Sequence, residues 1–177
     1  MKTTRSLMLV MAPLLTVACA TTPELPVPTA LVPDAGQTLA MTWSAQGVQV
    51  YECRTAASGS GHTWAFVAPD ADLFNDTGKR VGRHGAGPFW QADDSSRIVG
   101  SVEARADAPA AGAIPWLLLS AKSETGTGVF SRVTSVQRIH TVGGLAPTTG
   151  CTADRIGTHC LQRRLPLLQP SLRKPCS

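Results

Sequence analysis

No segment of this chain offers ten or more residues of clean helical period, while short alternating runs are broken by turn signals roughly every ten residues. Val48 and Val50 alternate with Gln49 and Tyr51, and Ile98, Gly100, Val102 and Ala104 alternate with Val99, Ser101, Glu103 and Arg105. Residues 58–61 (SGSG), 75–78 (NDTG) and 93–96 (DDSS) have the composition of tight turns. Asn and Asp bond their own backbone there, and Gly accepts positive φ. The pattern predicts an all-β fold, a single antiparallel β-sandwich or barrel-like domain, with up-and-down and Greek-key orders both open. Expected strands include residues 38–43 and 47–53, spaced like a hairpin, and residues 62–68, ended by Pro69. Residues 116–121 form an apolar run short enough to be a strand buried on both faces.

The body that folds this way is shorter than the chain. Lys2 and Arg5 precede an apolar run over residues 7–17, which reads as an export signal occupying residues 1–18. Residues 15–19 (LTVAC) resemble a bacterial lipobox, in which Cys19 would be diacylated and become the mature N-terminus. Ordinary cleavage after Ala20 is the competing reading. Residues 19–37 carry Pro23, Pro26, Pro28 and Pro33 without apolar period, the composition of a semi-rigid spacer. That leaves a β domain over residues 38–151 and an atypical tail over 152–177, expected to be disordered. The expected location is the periplasmic face of the cell envelope by lipid anchor, or a soluble periplasmic or secreted state if cleavage follows Ala20.

Charge narrows the partners. The whole chain has a net charge of +4 and a pI near 9.0, but residues 19–151 hold nine basic and eleven acidic side chains. The excess of positive charge sits in the signal and the tail, so no basic stripe marks the body for nucleic acid. The expected partners are a membrane, through the lipid, and a small molecule, glycan or envelope protein.

Candidate chemistry is sparse. Asp70, Asp72, Asn75 and Asp76 hint at Ca²⁺, but Asn75 and Val81 stand where an EF-hand loop needs Gly and Glu. A polar turn explains them better, and neither metal nor cofactor is expected. Gly-x-Ser-x-Gly, a phosphate-binding glycine loop and C-x-x-C are all absent. His84 beside a carboxylate has the makings of an acid–base pair near neutral pH. Tryptophans 43, 64, 90 and 116 read chiefly as core, with a flat binding wall as the rival. The candidate ligand-binding set is therefore Asp70, Asp72, His84 and Trp90. The leading reading is a non-enzymatic binding or structural domain, and the alternative is a periplasmic enzyme using His84 with Asp70 or Asp72.

Several longer strings carry a resemblance. They are WAFVAPDADLF from Trp64, GKRVGRHGAGPFW from Gly78, AIPWLLL from Ala113 and VTSVQRIHTVGGLAPTTGC ending at Cys151. In this order they resemble the exported family called domain of unknown function 3455. The resemblance implies no established activity and no catalytic residues. Some members of that family are labelled malate dehydrogenase, which this chain does not support, since it has neither G-x-G-x-x-G nor alternating strands and helices.

The tail departs from the family, whose members finish on an aromatic strand resembling VPYSADYYFY. Residues 161–171 can be encoded so that the next reading frame gives YSADYHFYSP, so the tail reads as a frameshifted last strand. The nucleotide sequence of the gene decides this: a stop codon in that frame, or the absence of the string, removes the idea. With Cys19 acylated, Cys53, Cys151, Cys160 and Cys176 allow three pairings. If the tail is out of frame, Cys53–Cys151 is the pair that matters.

Overall fold

The computed structural model describes residues 25–152 and, within the tail, the strand residues 159–160 and 169–175. Residues 1–24, with the expected signal and Cys19, lie outside the described residues. Ten strands form: β1 Gln37–Thr42, β2 Ser44–Thr55, β3 His62–Phe74, β4 Arg80–Gly85, β5 Phe89–Ala92, β6 Arg97–Ala106, β7 Trp116–Thr125, β8 Ser135–Ile139, β9 His159–Cys160 and β10 Gln169–Pro175. All pairings are antiparallel, and β2 to β8 run as an up-and-down meander. Beyond β8 the sheet continues through β10 to β1, and β9 lies outside β2. β1 and β2 stand near opposite ends of this order, yet Trp43 alone joins them. The sheet must therefore curl back on itself, which makes the domain barrel-like.

Two local expectations change. The hairpin between residues 38–43 and 47–53 does not form, because one intervening residue cannot supply the two-residue reversal that antiparallel neighbours need. β1 pairs with β10, and β2 pairs with β3 across a turn in which the Ala56 N–H donates to the Gly61 carbonyl. Pro69 does not end β3 either. It pairs with Gln49 of β2, while β4 joins the other side of β3 only from Ala71 onward. Pro69 thus sits where β3 has one open edge, the position at which strands tolerate proline.

The first four residues of β7 are covered on both sides, as the apolar run there implies. Leu119, with Trp43, Leu73, Trp90, Ile98, Phe130 and Val136, belongs to the main core, and Leu117 packs against it. Trp116 and Leu118 face the other way and are covered by Ile139 and the fully buried Leu31. Leu31 lies in the expected spacer, within a 3₁₀ turn at Thr29–Leu31, and its carbonyl accepts from Gln137 Nε2 at 2.6 Å. Part of the spacer is drawn onto the body because the outer face of β7 needs apolar cover.

The predicted turn at residues 93–96 does more than reverse the chain. Asp94 Oδ1 accepts from the N–H and hydroxyl of Ser96 at 2.9 and 2.6 Å, and Oδ2 accepts from the N–H of Val129 at 2.8 Å. This clips the β7–β8 connection in place and seats Phe130, 0% exposed, against Trp43. In the tail, β10 occupies the position between β1 and β8 that a missing last strand would leave open. Its prolines fall where only one neighbour is paired, Pro170 opposite Arg138 and Pro175 opposite Gln37. The tail was expected to be without structure, and these nine residues are strands; residues 153–158, 161–168 and 176–177 lie outside the described residues.

Candidate functional site

Unequal strand lengths open the barrel wall. β4 and β5 have six and four residues, whereas the flanking β3 and β6 have thirteen and ten. Past the β4–β5 turn, the first half of β3 and the second half of β6 have no strand between them. A cavity of about 320 Å³ enters there and runs into the barrel. Its mouth is formed by Phe66, Val67 and Val102, which are 53%, 44% and 57% exposed. Gly87 and Pro88 of the turn form its lip, and Leu117 and Leu119 its inner wall.

Irregular pairing aims the mouth residues. Tyr51 pairs with Phe66 and Val50 with Ala68, so Val67 is an extra residue in β3. Val102 pairs with Leu119 and Ala104 with Leu118, so Glu103 is the extra residue in β6. Such bulges bend a strand and redirect its side chains, and they recur at barrel rims and beside sites. Here they let the consecutive Phe66 and Val67 both line the opening.

Two polar side chains reach the cavity. His84 is 5% exposed and stacks on Trp90 with ring centroids 4.5 Å apart. Gly100 makes room for that stack, since a Cβ there would lie 2.8 Å from the Trp90 ring. His84 Nδ1 is 2.7 Å from the Phe89 carbonyl. A carbonyl only accepts, so Nδ1 carries the proton and Nε2 holds a lone pair when the ring is neutral. Burial pulls the His84 pKa down to about 4, the bond to Phe89 opposes the shift, and the Arg138 cation adds to it. At neutral pH His84 is therefore uncharged.

The second group is Arg138. It pairs with Leu117 on the face of β8 that points into the barrel. Its Nε and Nη2 donate to the Pro115 carbonyl at 3.2 and 2.8 Å. Burial, then the neighbouring Arg105, lowers its pKa to about 10, so it remains a cation at neutral pH. Among the described residues it forms no ion pair: the four present join Arg54 to Glu52, Arg80 to Asp72 and Asp93, and Arg97 to Glu124. The cavity is an apolar box with one half-buried positive charge.

The predicted site residues divide. His84 and Trp90 come together and line the cavity. Asp70 and Asp72 do not join them. His84 pairs with Ala71, so the two flanking aspartates point to the opposite face, where Asp72 meets Arg80 Nε at 2.7 Å. No carboxylate, hydroxyl or thiol side chain lines the cavity among the described residues, so the acid–base pair that the enzymatic alternative requires is not assembled. Arg138 was missed by sequence reading. Its one signal was a charged side chain in register with Val136, inside a strand otherwise buried on both faces. The other tryptophans are structural: Trp43 and Trp116 are buried, and Trp64, opposite Cys53, donates to the Thr149 carbonyl at 3.0 Å.

Beside Trp64, Cys53 and Cys151 form a disulfide with Cα atoms 5.8 Å apart, the pair expected if the tail is out of frame. The family model described as protein of unknown function (DUF3455) matches residues 33–160. The chain belongs to the DUF3455 family. No curated protein and no solved structure matches it. The DUF3455 match takes in every residue that lines the cavity and both cysteines of the disulfide, and it ends before β10.

Proposed function

We propose that this DUF3455 protein is a non-enzymatic binding domain of the cell envelope, held at the periplasmic face of a membrane by a lipid on Cys19, and that its barrel cavity holds a small ligand. The observation that carries the reading is the cavity itself, an apolar recess entered through a gap in the sheet and provided with few polar groups. That is the usual make-up of a small-molecule site, and 320 Å³ lies at the small end of the range. The signal-like residues 1–18, the lipobox-like residues before Cys19 and the disulfide support the envelope location.

Two arms test the proposal on the full chain. Cys19→Ala is expected to move the protein from the membrane fraction to the soluble periplasm; unchanged fractionation removes the anchor. A thermal-shift screen of small metabolites is run on the wild type and on Val102→Trp, which places a bulky ring across the mouth. A ligand at a hundred times its Kd adds about 2.7 kcal/mol to the native state, a shift of several degrees. The expected result is a set of hits whose shifts vanish in Val102→Trp. Hits indifferent to that substitution, or no hits at all, overturn the cavity reading.

A further inference from the structure

The lining of the cavity says more than its size. Apart from its mouth and the flat face of the His84–Trp90 stack, the wall is aliphatic. The one charged lining group is the Arg138 guanidinium, carried on the inward face of β8. Two of its nitrogens are spent on the Pro115 carbonyl, and Nη1 has no partner among the described residues. Arg138 is half-buried, and drawing a cation part-way out of water has a cost that a counter-ion offsets. The arginines that do form ion pairs among the described residues, Arg54, Arg80 and Arg97, are more exposed and meet a carboxylate at 2.7–3.0 Å. Arg138 is instead flanked by the phenol of Tyr51, whose hydroxyl is committed to the Gly144 carbonyl at 2.7 Å, and by the like charge of Arg105. Among the described residues, the charges around it leave room for an anion.

We propose, building on the cavity reading above, that the ligand is a small apolar carboxylate whose head binds Arg138 and whose apolar body lies along Leu117, Leu119 and Trp90 toward the open mouth at Val67 and Val102. A guanidinium matches a carboxylate in shape as well as charge. The aliphatic walls and the exposed apolar rim suit a hydrocarbon chain, and they exclude a sugar or a second charge. His84 contributes a neutral flat surface, so the cavity carries a single positive charge for a single negative head.

The test compares an acid with the alcohol of the same chain on the unaltered protein, so it does not depend on a variant folding. Binding of decanoate and of 1-decanol, both below their aggregation limits, is measured by titration calorimetry on the full chain at pH 7.5. Decanoate is expected to bind about ten- to a hundredfold more tightly, the worth of a charge-assisted hydrogen bond in a desolvated site. Arg138→Met is expected to bring the two together, and Val102→Trp to abolish both. Equal affinity of acid and alcohol for the wild type overturns the inference, as does a preference for the acid that survives Arg138→Met. If neither binds while other metabolites give shifts sensitive to Val102→Trp, the carboxylate is wrong and the cavity reading stands. If nothing gives such a shift, the cavity reading falls too.

Discussion

Removing the Cys53–Cys151 disulfide, in a Cys53→Ser/Cys151→Ser double variant, is expected to lower the unfolding free energy by about 4–5 kcal/mol. The two cysteines are 98 residues apart, so the bond closes nearly the whole meander from the end of β2 to the segment after β8. In the chain-entropy account a loop of that length restricts the unfolded state by about 4.7 kcal/mol. Against a total of about 5–15 kcal/mol for a domain of this kind, that is the largest single contribution identified in the fold. The native side of the balance changes little. The segment from 141 to 149 keeps the bonds of Thr141 Oγ1 to the Ile114 carbonyl, of Tyr51 to the Gly144 carbonyl and of Trp64 to the Thr149 carbonyl. The double variant should therefore fold to the same structure at low temperature and melt roughly 15 °C or more below the wild type. Urea and thermal unfolding of the two proteins check this. A difference of only a few degrees would show that these backbone contacts, and not the covalent link, hold the end of the domain.

The contrast between what was legible and what was not follows from the period of a strand. Alternation is local, so a strand such as Arg97–Ala106 and the two-sided start of Trp116–Thr125, over residues 116–121, could be read from their own residues. Pairing is not local. Nothing in residues 38–53 says that β1 crosses to β10, and nothing in Pro69 says that β4 will stop short of it. The site shows the same division. His84 and Trp90 were visible as a histidine and an aromatic in a turn-rich stretch. Asp70 and Asp72 were close in sequence, but they share a parity opposite to Ala71 and Leu73, and that parity sends them to the outer surface. Arg138 reads by itself as a solvated strand residue. Only its register with Leu117, and the gap that short β4 and β5 leave in the wall, turn it into a half-buried cation that lines the cavity.

Acidification from pH 7 to 4 is expected to cost the domain about 3 kcal/mol through His84 alone. The side chain is 5% exposed, stacked on Trp90, and its pKa is held near 4 against 6.5 for a free histidine, chiefly because burial disfavours the charged form. Between those two values the unfolded chain binds a proton that the native state refuses. Stability therefore rises with pH across this window, at up to about 1.4 kcal/mol per unit. It is complete above pH 6.5 and falls as the pH drops toward 4. Below that the native ring protonates as well, and the loss levels off. Asp94 adds a further loss in more acidic solution, because its hydrogen bonds to Ser96 and Val129 hold its pKa below 3.8, so its contribution disappears only as the pH falls through that lower value. The two groups act in separate ranges and can be told apart. Urea midpoints measured at pH 7.5, 6, 5 and 4 should fall steadily in the wild type. His84→Gln, which removes the titrating ring, should be less stable at pH 7.5 and nearly flat between pH 6.5 and 4. If the variant keeps the wild-type slope, the acid sensitivity arises elsewhere, and the ring beside Arg138 is not the neutral wall that the binding site requires.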